Sequence, residues 1–328
     1  MKIHLFFMQK SQYRQRLNKL EDKYLPPNFI MKRLLIALSF LILATACSNE
    51  EDKGNSNGHG VPGNWNANTH MSKHAQRIEV PAMDDDELFI AHTTTVNGKE
   101  NVTYSISHNA DRKHCKWTAF TFDPSNRAIN WKRDNWDNTE WGGDPFQPNP
   151  EMPDAYVMTK EQINRNGFVR GHIVASYDRV YSKDANEQTF YYSNISPMYS
   201  RFNTGAWNDC EGLVQGWGRN NAFCDTLYIV KGGTIREGEY STKGTCPTVP
   251  NYYFMALLCL KSGTYKAMGL LFKHENGNSQ TQVCSIDHLE NFTGIDFFCN
   301  IPDNVEDAVE KSCRPNQWNG LKNYKSLE

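Results

Sequence analysis

Three polar side chains in the middle of the sequence have types and spacings that suit proton transfer. Arg170-Gly171-His172 lies within "GFVRGHIVASYDR" (167–179), between apolar flanks. Asn203 follows 31 residues after His172, and Glu211 eight residues after Asn203. Histidine is the side chain whose ordinary pKa lies nearest neutrality, so it can accept a proton and release it. Asparagine and glutamate add oxygen atoms. Taken singly, each residue has a plainer reading. His172 is then a structural histidine in a strand, Asn203 a helix N-cap, Glu211 a solvated helix residue and Arg170 an ion-pair partner. Arg133, in the polar stretch "WKRDNW", reads as a surface residue.

The elements that must position these residues follow from the pattern. "FVRGHIVA" is strand-like to about Ala175, and the aromatic "TFYYSNI" (189–195) reads as a second strand. Residues 202–217 look helical, with Trp207, Cys210, Glu211 and Val214 at three- and four-residue steps. Eight residues make about 2.2 helical turns, so positions 203 and 211 fall on neighbouring faces. A strand pair followed by a helix brings all three residues to one edge. Around this core, "ELFIAHTTTVNGKENVTYSISHN" alternates about Asn97-Gly98, a hairpin signal. "WTAFTFD" (117–123), "TLYIVKGG" (226–233) and "NYYFMALLCL" (251–260) read as further strands. Residues 137–154 read as loop, and "VEDAVEKSC" (305–313) as a short closing helix. No internal repeat and no second linker is visible, which predicts one domain over 78–325.

With these parts in order, the sequence resembles the DNA/RNA non-specific endonucleases, which have the ββα-metal (His-Me finger) fold. The family's D-R-G-H, N-[IM]-x-P, Asn and W-x-x-x-E correspond to "VRGH" (169–172), "NISP" (194–197), Asn203 and Trp207 to Glu211. "ASYDR" (175–179) resembles the family's PSxDR, and "RDNW" (133–136) its RxDNF. The similarity runs over roughly 100–303. It implies an α+β fold with a central, mainly antiparallel sheet flanked by helices. It also implies a hydrolase that cuts phosphodiester bonds of DNA and RNA to 5′-phosphorylated products. His172 would be the general base, and Asn203 the protein ligand of one Mg²⁺, with Mn²⁺ as a substitute. Glu211 would orient metal-bound water, while Arg133 and Arg170 would bind or neutralise the phosphate. Elementary chemistry agrees with this division. Mg²⁺ prefers oxygen ligands and keeps much of its water, and arginine matches phosphate with a planar fork. Phosphates are the same in every sequence, which would account for cleavage with little base preference. Two positions depart from the pattern. Val169 stands where the family has Asp, and Met198 where a polar residue is common.

Composition bounds the remaining choices. The chain has 328 residues, 39% of them hydrophobic, and a formal charge of -2. Residues 1–46 hold eight Lys/Arg and two acids, which leaves 27 basic and 35 acidic residues beyond them. Nucleic-acid binders usually carry a basic surplus, so any such binding here needs a local patch or a metal ion. That balance and Val169 keep a second class in view, a surface lipoprotein with a catalytically silent nuclease fold that binds glycan or protein. A third reading is a metal phosphodiesterase acting on small nucleotides. "MKRLLIALSFLILATAC" (31–47) has a basic start, an apolar run of ten and small residues before Cys47, as a lipoprotein signal peptide requires. It predicts a signal at 31–46, a lipid carried on Cys47 and an anchor in a bacterial outer membrane, with "NEED" resembling surface-export signals. Residues 1–30 then read as an extension upstream of the true start. Residues 47–77, rich in Gly and Asn, read as a flexible tether. Eight further cysteines occur with no C-x-x-C pair, which argues against a zinc ribbon and, in an exported chain, favours disulfides. No protein partner is inferable from these features.

Overall fold

The computed structural model describes residues 63–84, 87–132 and 143–328. The expected extension at 1–30, the signal at 31–46, Cys47, the first part of the tether and Arg133 lie outside the described residues. The expected hairpin forms. β1 (Leu88–Val96) and β2 (Lys99–Asn109) are joined by Asn97 and Gly98 alone, with φ of 51° and 74°. Two positive φ values in a two-residue loop are what a type I′ turn demands, and Asn-Gly meets that demand at least cost.

The strands continue with β3 (His114–Phe122), β4 (Val169–His172), β5 (Ile195–Met198), β6 (Thr226–Gly233), β7 (Tyr240–Lys243) and β8 (Cys246–Pro250). They close with β9 (Tyr252–Lys261), β10 (Thr264–Lys273), β11 (Thr281–Cys284) and β12 (Lys325–Ser326). The main sheet has eight strands in the order β1-β2-β3-β6-β9-β10-β11-β12, and β4-β5 and β7-β8 form separate pairs. Every pairing in the main sheet is antiparallel except β11 with β12. The helices are α1 (Lys160–Asn164), α2 (Lys183–Gln188), α3 (Asn208–Arg219), α4 (Ile286–Thr293) and α5 (Asp303–Glu310). The fold is α+β, as the resemblance implied.

Alternation along the strands divides the core into two layers. On β3 and β9, Phe120, Phe122, Tyr253, Met255 and Leu257 face one side with Phe202, Trp207 and Val214 of the helical run. Trp117, Ala119, Phe254, Ala256 and Leu258 face the other with Ile286, Leu289 and Val309 of α4 and α5. The small β4-β5 pair and α3 therefore belong to one side of the sheet, and α4 and α5 to the other.

Three expectations shift. β4 ends at His172 rather than near Ala175, and its partner strand is Ile195–Met198, not 189–195. The aromatic residues that suggested the earlier strand are held by packing instead. Phe190 is fully buried, and Tyr192–Asn194 form a 3₁₀ turn. The packed region also begins before Ile78. The Asn68 amide donates to the carbonyls of Ala75 and Pro81 at 3.0 and 2.9 Å, and the Asn300 amide donates to those of Ala75, Arg77 and Val80. Residues 63–77, expected in the tether, are thus tied to the domain. The eight cysteines after Cys47 are free thiols, seven of them buried, so no disulfide is present among the described residues.

Candidate active site

His172 is the last residue of β4 and pairs with Ile195 of β5. Its ring lies between two phenylalanines, with Phe146 at 5.3 Å and Phe190 edge-on at 5.1 Å between centroids. Nε2 is shut away from solvent. The strand is held close to β5 because residue 171 has no side chain. A Cβ there would stand 2.3 Å from Met198 Sδ. Met198 is itself fully buried, which gives its departure from the family pattern a packing role. Asn194 locks the turn below. Its amide donates to the Val174 and Thr189 carbonyls at 2.9 and 2.7 Å, and its oxygen accepts from Val174 N–H at 2.9 Å.

Arg170 lies two residues from His172, on the same side of the strand pair. Its Nη1 donates to both oxygens of Asp144 at 3.0 and 2.9 Å. Its guanidinium carbon lies 3.9 Å from the centre of the Phe146 ring. Arg170 therefore presses Phe146, which in turn flanks His172. The Nε and Nη2 of Arg170 make no hydrogen bond to the described residues.

Asn203 does not cap a helix. Helix begins earlier, at Ser200–Phe202, and is kinked within Asn203–Trp207, where Gly205 leaves the helical dihedrals. The Asn203 N–H donates to Tyr199 O at 2.9 Å within the helix. Its side-chain amide hydrogen-bonds to none of the described residues and is half-exposed, so its oxygen is available to a hard cation such as Mg²⁺. Four residues on, the buried Trp207 indole donates to the His172 carbonyl at 3.2 Å. That bond ties the helix carrying Asn203 to the strand carrying His172.

Glu211, one turn beyond Trp207, is mostly buried. Its Oε1 accepts from Lys231 Nζ at 3.2 Å, and the same ammonium donates to Asp178 Oδ2 at 2.9 Å. Lys231 has no exposed side-chain surface. Burial pushes the Glu211 carboxyl up; the Lys231 ammonium opposes this and the Asp178 charge adds to it. Asp178 is held below the usual carboxylate range although burial acts to raise it, because Lys231 and Arg179 together outweigh that effect. Asp178 also accepts from Gln215 at 2.9 Å and from Ala175 N–H at 3.0 Å. Its neighbour Arg179 turns away, donating to the carbonyls of Thr103 and Thr121.

Sequence reasoning missed Lys231, Asp144 and Phe146. A signal existed for the first, since "TLYIVKGG" is an apolar strand interrupted by one charge. Asp144 and Phe146 lie in a loop without periodicity and gave none. Two more unremarked residues support the site. His274 Nδ1 donates to Pro250 O at 2.9 Å, so its Nε2 accepts from Tyr199 N–H, also at 2.9 Å, at the helix entry. His114 Nδ1 donates to Cys115 O, and its Nε2 accepts from the Ser196 hydroxyl of β5 at 2.6 Å.

A strand pair ending on a clamped histidine, crossed by a helix bearing an available asparagine, is a ββα-metal arrangement. The sequence profile of the family described as DNA/RNA non-specific endonuclease matches residues 85–304. The chain belongs to that family. Members are metal-dependent nucleases, and this chain is accordingly a nuclease, a hydrolase of the non-specific endonuclease class. Similar sequences include a nuclease of Nostoc sp., 26% identical over 225 residues, covering 63% of this chain and 75% of that protein. Nuclease C1 of Cunninghamella echinulata is 23% identical over 215 residues, covering 61% and 81%. Among solved structures, the EndoG/EndoGI complex contains a chain with TM-score 0.51 and 17% identity. That match covers 66% of this chain and 89% of the other, a likeness of fold.

Proposed function

We propose that this non-specific endonuclease hydrolyses both DNA and RNA with one Mg²⁺, leaving 5′-phosphorylated ends. The observation that carries this reading is the tether between Trp207 and His172, which joins the helix of Asn203 to the strand of the base. His172 accepts a proton from the attacking water at its imidazole. Phe146 and Phe190 hold the ring so that this proton moves along one direction. The Asn203 amide oxygen would hold the metal, with water and phosphate oxygens completing its shell. A bound Mg²⁺ would supply charge stabilisation for the phosphate and the leaving oxygen. Glu211, kept in place by Lys231, orients water on that side. Arg170 keeps Nε and Nη2 for a phosphate oxygen while Nη1 stays on Asp144, and Arg133 would add a second cation. The backbone phosphate, not the base, is then the recognised group, which supports action on both nucleic acids.

The lipoprotein signal reading of residues 31–47 supports export and anchoring in an outer membrane through a lipid on Cys47. In an oxidising compartment, Cys224 and Cys259, near enough to shift each other's ionisation, are a pair that could bridge.

The test uses plasmid DNA and a structured RNA, Mg²⁺ or EDTA, and the His172→Ala and Asn203→Ala variants. Wild type should cut both substrates with Mg²⁺ only, and each variant should lose at least a hundredfold. Intact substrates with wild type, or equal cutting by His172→Ala, would refute the enzymatic reading and favour a silent binding protein.

A further inference from the structure

On the other side of the main sheet, far in the fold from β4 and β5, α4 and α5 bring carboxylates together. Oxygen atoms of Asp287, Glu290 and Glu310 all lie within 4.8 Å of one another. Glu306 and Asp296 stand beside them. Glu290 and Asp296 line a cavity of about 250 Å³ with Asp287. Among the described residues, none of these five carboxylates has an ion-pair partner. The cations on neighbouring segments are engaged elsewhere, Lys311 with Asp307 and Arg236 with Glu239. Part of the cluster is satisfied by neutral donors. Glu290 Oε1 accepts from Phe297 N–H at 2.8 Å, and the Asn66 amide donates to Asp296 and Glu306 at 3.1 Å each.

Glu310 is different. It is only 5% exposed, and its Oε1 has no hydrogen-bond partner. A carboxylate oxygen shut away from water with no donor is costly unless a positive charge meets it. Burial, reinforced by neighbouring acids, pushes Glu290 up to about 8 and Glu310 up to about 10. The leading charges that act on these two are those of neighbouring acids. A bound cation would relieve both the orphaned oxygen and this repulsion.

We propose that Asp287, Glu290 and Glu310 form a Ca²⁺ site that clasps α4 to α5. The ligand set is all hard oxygen, as calcium requires. At calcium–oxygen distances of about 2.4 Å, ligands of one ion stand no more than about 4.8 Å apart, and the three carboxylates already lie within that span. Magnesium keeps several of its waters and is usually held by one or two carboxylates, so a set of three favours calcium. The cavity beside them leaves room for the waters that complete the shell. The ion is structural, since it sits across the sheet from His172.

The experiment titrates Ca²⁺ and Mg²⁺ into the Asn203→Ala protein, in which the catalytic ligand is absent, by calorimetry and by thermal melting. One Ca²⁺ should bind, more tightly than Mg²⁺, and raise Tm by several degrees. Glu310→Gln should weaken binding at least tenfold. Asp287→Asn, at a more exposed position, should do the same with unchanged circular dichroism, so a folding defect at Glu310 would not hide the result. No saturable Ca²⁺ binding up to millimolar concentration would overturn the proposal, leaving protons as the neutralising charge. Binding unaffected by Asp287→Asn would overturn the ligand set, and equal affinity for Mg²⁺ would overturn the choice of ion.

Discussion

Replacing Lys231 with Met should expose how the site is supported. Met has similar length and no charge, so the substitution removes one ammonium from between two buried carboxylates. Asp178 loses a 2.9 Å partner and Glu211 a 3.2 Å partner. Breaking a buried ion pair from one side costs about 3–5 kcal/mol, because a charge is left without compensation. Asp178 retains Gln215 and Ala175 as donors, which favours the lower half of that range. At about 2 °C per kcal/mol for a domain of this size, Tm should fall by roughly 6–8 °C. The pH dependence has a definite sign. Lys231 lowers the pKa of both carboxyls, so without it both rise. A group with a raised folded pKa binds its proton more tightly when folded. It therefore contributes stability at low pH that is lost as pH rises through the folded pKa. The loss in Lys231→Met should accordingly be smaller at pH 5 than at pH 8. Urea melts at the two pH values measure it, with plasmid cleavage followed in parallel. Cleavage should drop as Glu211 becomes protonated. A loss below about 1 kcal/mol at pH 8, or a larger loss at pH 5, would refute the reasoning.

Other consequences follow from single contacts. Gly171→Ala puts a methyl into Met198 and should cost about 1–3 kcal/mol and most of the activity. The double variant with Met198→Ala should lose less than the two single variants together, and plain additivity would show that the glycine serves something other than close strand approach. His108, His114 and His274 are each pushed down to about 4, chiefly by burial. A depressed histidine contributes stability above its unfolded pKa, so stability should decline between about pH 6.5 and 4. His274→Gln should flatten that decline in urea melts taken across the range, and an unchanged slope would show that His274 does not contribute.

Much of the scaffold is legible without the structure. Asn97-Gly98 encodes its own turn, because only a few residues tolerate two successive positive φ values. The alternation of β3 and β9 encodes two buried faces. The helix through Trp207 and Glu211 follows from its three- and four-residue steps. The boundaries of β4 and β5 were less legible. "TFYYSNI" has strand composition, but Phe190 is consumed by packing beside His172, and Asn194 spends its side chain on the turn. Tertiary contact overrode local preference there. Arg170 was legible as a cation near the histidine and as an ion-pair partner, but Asp144 as the carboxylate it meets was not.

By itself the sequence determined the order of the chemistry-bearing residues, the family they belong to and the local elements that carry them. These depend on neighbours within a turn or a strand, which periodicity and spacing report directly. Only the tertiary structure decided which charges are buried together. Lys231 meets Asp178 across 53 residues and Glu211 across 20, and Glu310 of α5 meets Asp287 and Glu290 of α4. It also decided that Asn203 lies just before a helix kink at Gly205 with its amide available, instead of capping a helix. Contacts of that kind arise from how sheet and helices pack, and burial, not spacing, sets what each charge costs and which partner must answer it.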